Sequence, residues 1–72
     1  MKVLGYTVSP EIEAACLERM MFQGWFTASM IEDCAHKAGA PLFVCHRIAD
    51  RLIQRERKAG RIKRHGRGWA WR

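Results

Sequence analysis

The sequence predicts a mostly α-helical fold closed by a small β-hairpin, in one domain covering residues 1–72. Two observations carry this. Three successive stretches repeat apolar residues at helical spacing, each opening on Ser, Thr or Pro and closing on Gly. The last twelve residues then alternate basic and apolar side chains around a Gly-containing turn, which is the pattern of a hairpin. A chain of 72 residues supports one small core and leaves no room for a large catalytic cavity.

Residues 2–8 alternate weakly, Val3, Gly5 and Thr7 against Leu4, Tyr6 and Val8, and read as an extended lead-in or edge strand. Ser9-Pro10-Glu11 is a helix start: Ser9 accepts free amides, Pro10 fits the first turn, and Glu11 and Glu13 favour the positive helix end. Ile12, Cys16 and Met20, widened by Leu17 and Met21, make the buried stripe of a first helix over 10–23, which Gly24 stops. Trp25-Phe26 is a short apolar strand, with Trp25 expected in the core. Thr27 caps a second helix over 28–38 whose apolar face is Ile31, Cys34, Ala35 and Ala38. Gly39-Ala40 forms a tight turn, and Pro41 opens a third helix over 41–59 at its first position. At 100° per residue, Val44, Cys45, Ile48, Ala49, Leu52 and Ile53 share one arc of that helix. Phe43, His46, Arg47, Asp50, Arg51, Gln54, Arg57 and Lys58 share the other. Arg55 and Glu56 fall at the edge of the apolar arc and are expected to be paired or to snorkel. Gly60 ends the helix. In the hairpin over 61–72, Trp69 and Trp71 share a face, and at least one of them closes the core against Ile62 and the first helix.

Charge is divided unequally. Residues 1–35 hold two Lys or Arg against five Asp or Glu, whereas residues 36–72 hold eleven against two. The net +6 is therefore concentrated in the C-terminal half, which points to a polyanionic partner. Cys16, Cys34 and Cys45 are odd in number and widely spaced, which reads as buried thiols in a reducing, cytoplasmic protein rather than a disulfide framework. No apolar run approaches the roughly 20 residues of a membrane span, so no membrane partner is expected.

The order helix, short strand, helix, tight turn, basic helix, glycine, basic hairpin resembles the winged helix-turn-helix superfamily over residues 9–72. The resemblance is carried by Trp25-Phe26-Thr27-Ala28, Ile31, Ala35, Gly39-Ala40-Pro41, Val44, Ile48, Leu52, Lys58-Ala59-Gly60-Arg61-Ile62 and the Gly66/Gly68 hairpin. Its small size is similar to that of stand-alone bacterial and phage-type members. The resemblance implies a double-stranded DNA-binding protein, a transcriptional regulator or an accessory DNA-transaction factor. Its third helix would lie in the major groove with Phe43, His46, Arg47, Asp50, Arg51 and Gln54 at base edges. Arg suits guanine and Gln suits adenine by bidentate hydrogen bonding, and a Phe ring packs on a thymine methyl. Lys58 and the wing residues Arg61, Lys63, Arg64, His65 and Arg67 would meet backbone phosphates or the minor groove.

Other chemistries find little support. Cys34 and His36 are two apart and Cys45 and His46 adjacent, spacings that do not suit a tetrahedral metal site. No phosphate-binding loop, carboxylate pair or nucleophile motif is present, so no catalytic activity, cofactor or small-molecule ligand is expected. The alternative is a protein-interaction module on the same scaffold, using Phe43 and a wing tryptophan as an apolar hot spot, or a homodimer. Binding of single strands by stacking on the tryptophans is a third reading.

Overall fold

The computed structural model describes residues 1–72. It opens on a hairpin of β1 (Lys2–Val3) and β2 (Tyr6–Thr7), paired antiparallel with Lys2 opposite Thr7 and Val3 opposite Tyr6. The sequence pattern suggested a single extended lead-in. The chain instead reverses at Leu4 and Gly5, both at positive φ (48° and 79°), as a two-residue hairpin turn requires. Leucine is a poor residue for that backbone region, so nothing in the sequence advertises the turn. Val3 and Val8 enter the core, and β1 packs against the third helix.

Helix α1 (Pro10–Met21) starts where Ser9 Oγ accepts the Ile12 backbone N–H at 3.2 Å. It buries Ile12, Cys16 and Met20. Two expectations are corrected here. The helix ends two residues short of 23, with Phe22 as its cap, and Met21 is exposed rather than part of the buried stripe. Strand β3 (Trp25–Phe26) follows. Trp25, expected in the core, is 44% exposed, whereas Phe26 is fully buried. Neighbours on a strand point to opposite faces, and Phe26 takes the inward position.

Helix α2 (Ala28–Lys37) is capped by Thr27, whose hydroxyl accepts the Met30 N–H at 3.4 Å while Met30 Sδ accepts the Thr27 N–H at 3.4 Å. Ile31 and Ala35 face the core; Ala38, expected on that face, is the C-terminal cap residue and is exposed. The turn into the next helix is a Schellman motif. Ala40 N–H donates to Ala35 O and Gly39 N–H to His36 O, each at 3.0 Å, with Gly39 at φ 114°. Helix α3 (Leu42–Lys58) begins one residue later than expected. Pro41 is its cap, in extended conformation, and its carbonyl accepts the Val44 N–H at 3.1 Å. The α3 arc read from the sequence is fully buried: Val44, Cys45, Ile48, Ala49, Leu52 and Ile53, together with Glu56. A second Schellman motif ends α3, with Arg61 N–H on Glu56 O at 3.1 Å and Gly60 N–H on Arg57 O at 3.0 Å.

The chain then forms β4 (Ile62–His65) and β5 (Gly68–Trp71). β5 is central: β4 pairs on one side and β3 on the other, both antiparallel, giving the order β3-β5-β4. Trp71 lies opposite Ile62, and its indole N–H donates to Met20 O at 2.7 Å, so this tryptophan ties the sheet to the end of α1. Gly68 sits where β5 passes β3. A Cβ there would lie 2.0 Å from the Phe26 carbonyl oxygen, so the crossing admits only glycine without displacing backbone.

Candidate functional site

Burying one arc of α3 leaves its opposite arc outward along the whole helix. Phe43, His46, Arg47, Asp50, Arg51, Arg57 and Lys58 are exposed there, and Gln54 is half-buried. Phe43 is 68% exposed and its neighbour Leu42 73%, an apolar pair at the helix start. Leu42 falls at the angle of the apolar arc, yet as the first residue of α3 it stays exposed, which the periodicity does not reveal.

Ion pairing divides the charged residues into two groups. The side chains beneath the surface arc are tied to one another. Arg61 donates from Nε to Glu56 Oε1 at 2.9 Å and from Nη2 to Glu56 Oε2 at 3.4 Å, and Arg55 bonds both Glu56 and Glu13. Arg61 beside Glu56 holds its carboxyl below the usual carboxylate range, against the burial that pushes it up, with Arg55 adding to the downward shift. The Arg55 guanidinium is raised chiefly by its hydrogen bond to Glu13. The pairing expected for Arg55 and Glu56 is therefore present, and Arg61, expected at a backbone phosphate, is exposed and also bonds Glu56 at the end of α3. His46 is also engaged: its Nδ1 lies 3.3 Å from Glu32 Oε2 on α2. His36 Nδ1 lies 3.1 Å from Ala40 O and braces the turn between α2 and α3. Such cross-element partners are invisible in the sequence, since Glu32 and His46 are fourteen residues apart.

The second group has no carboxylate partner. Arg47, Arg51, Arg57 and Lys58 on α3, and Lys63, Arg64 and Arg67 on the hairpin, form no ion pair. Asp50 pairs with neither Arg47 nor Arg51, although both are close in sequence. Lys63, Arg64, His65 and Arg67 are all exposed, and the Arg64 guanidinium lies 5.0 Å from the Trp69 ring centroid. That distance is within reach of a cation–π contact, and Arg64 remains exposed. Chemically, α3 and the adjoining hairpin together offer seven Lys and Arg cations without an ion-pair partner, one apolar pair and one amide.

The remaining candidate chemistry is sparse. Cys16 and Cys45 are buried and Cys34 is half-buried. Burial first, then proximity to Cys34, pushes the Cys16 thiol up to about 12, and burial pushes Cys45 up as well. No three His, Cys, Asp or Glu side chains come together as a metal-binding group. No helix is long and apolar enough to cross a membrane. Comparison of the chain with protein-family models, with curated proteins and with solved structures gave no significant match.

Proposed function

We propose that the chain is a winged helix-turn-helix protein that binds double-stranded DNA, with α3 as the recognition helix and the β4–β5 hairpin as the wing. The observation that carries this reading is the set of exposed cations on α3 and the adjoining hairpin, Arg47, Arg51, Arg57, Lys58, Lys63, Arg64 and Arg67, none of which has a carboxylate partner within the molecule. Two further features support it. The short turn from α2 to α3 gives the helix-turn-helix spacing. The strand order β3-β5-β4, with β3 preceding α2, joins the hairpin to the same sheet as the linker strand.

In this reading the N-terminal half of α3 enters the major groove. Arg47 reaches a guanine edge, Asp50 accepts from a cytosine amino group, and Phe43 packs on a thymine methyl. Lys63, Arg64, His65 and Arg67 meet phosphates, Arg64 from beside Trp69. Regulation of transcription or an accessory role in DNA transactions follows from such binding.

The protein-docking alternative draws on exposed Leu42 and Phe43, but no longer on the wing tryptophans: Trp71 is bonded to Met20 and Trp69 lies beneath Arg64. A gel shift with random-sequence duplexes at several salt concentrations tests the main reading. Binding whose logarithm falls linearly with log salt is expected. Absence of binding at low salt, or binding indifferent to salt, overturns it. Arg47→Ala with Lys63→Ala should abolish the shift while leaving a contact centred on Phe43 intact.

A further inference from the structure

The N-terminal hairpin and the C-terminal half of α3 enclose a cleft of about 410 Å³, lined by Met1, Lys2, Arg51, Gln54, Arg55 and Lys58. No local pattern associates Lys2 with α3, and the resemblance begins only at residue 9. Of the lining cations, Arg55 is bound to Glu13 and Glu56 and carries little free charge. Lys2, Arg51 and Lys58 form no ion pair. No carboxylate lines the cleft. Three uncompensated cations from two elements, with one amide donor between them, make a site for a single phosphate group.

The direction in which α3 runs says which phosphate. At 100° per residue, Arg47, Arg51, Gln54 and Lys58 fall within roughly 60° of one another. Lys58 lies about 16 Å along the axis from Arg47, at a rise of about 1.5 Å per residue. The major groove is only about 12 Å wide. With Arg47 at the base edges, the far end of the same stripe is carried out to the groove wall, where the sugar–phosphate backbone runs. We propose, resting on the DNA-binding reading above, that this cleft clamps one backbone phosphate of the duplex. Arg51 and Gln54 then serve as phosphate contacts rather than base contacts, and the N-terminal hairpin is a second backbone-gripping element in addition to the wing.

The test is duplex affinity against salt for the full chain, for a Lys2→Ala/Arg51→Ala/Lys58→Ala variant, and for Arg47→Ala, each across a panel of duplex sequences. All four positions are exposed, and a thermal melt followed by circular dichroism checks that each variant remains folded. Loss of one phosphate contact makes the log–log salt slope shallower by about 1 in the triple variant, with the rank order of sequences unchanged. Arg47→Ala changes the rank order. A wild-type slope retained in the triple variant, or a changed sequence preference in it, overturns the clamp while the DNA reading stands. Failure of the unaltered protein to bind any duplex overturns both readings, as does binding to phosphatidylserine vesicles in place of duplex.

Discussion

The two sides of α3 handle charge in opposite ways. On the side that meets the rest of the molecule, Glu56 is 4% exposed and held by Arg55 and Arg61, and the apolar arc from Val44 to Ile53 is closed over by α2 and the sheet. On the outward side, Arg47, Arg51, Arg57 and Lys58 find no internal partner, and Asp50 is left among them unpaired. A charge with a partner stabilises the fold; several like charges without one repel each other and are relieved by an anion from outside. The inward side of α3 therefore contributes to holding the fold together, whereas the charges on the outward side do not pair within it.

Three substitutions test this contrast. The largest effect is expected in the sheet that closes the core, away from the outward side of α3. Gly68→Ala places a Cβ against the Phe26 carbonyl and forces β5 away from β3, a loss of roughly 3 kcal/mol at the upper end of overpacking effects. Denaturant unfolding measures it, and a wild-type midpoint would show that the β3–β5 crossing is looser than described.

Glu56→Gln comes next, at about 1–2 kcal/mol, because the amide keeps the shape but not the charge facing two guanidinium groups, one of which is largely in water. The pH dependence follows from the sign of the shift. Glu56 has a folded-state pKa below its ordinary value of 4.5. Its contribution is thus complete above that value and is lost as pH falls through the folded-state pKa. Unfolding followed between neutral and acid pH should show this loss in the wild type and a flatter profile in Glu56→Gln. Identical profiles would mean that the buried carboxylate contributes nothing through its charge.

The smallest effect on stability is expected on the outward side. Phe43→Ser should shift stability by no more than roughly 0.5 kcal/mol, since the ring is 68% exposed, while weakening binding to duplexes with thymine at the contacted position. A melting temperature lowered by many degrees would place the ring in the core and erase the contrast at the start of α3.

Local signals explain which parts of the fold were legible in advance. Ser9 and Thr27 cap α1 and α2, and Gly39 and Gly60 occupy the two Schellman turns, because each acts on backbone groups within a few residues. The buried arc of α3 was legible for the same reason: its period is written in one continuous stretch. The misplacements have local causes of another kind. Trp25 looked like core by size, but the two-residue strand has one inward position and Phe26 fills it. Met21 continued the α1 stripe, yet α1 ends there and the chain turns away.

The three helices, the C-terminal hairpin, the apolar arc of α3 and the concentration of positive charge in residues 36–72 are all legible along the chain. Which of those charges are free depends on how the elements pack. Arg61 and His46 are matched with Glu56 and Glu32 by the way the elements meet, whereas Lys2 is brought beside Arg51 and Lys58 by a hairpin turn at Leu4 and Gly5 that no turn residue pattern announces. Periodicity and capping are short-range and can be read along the chain. The partner of a charge depends on which elements pack against its own, and that follows from burying one shared core.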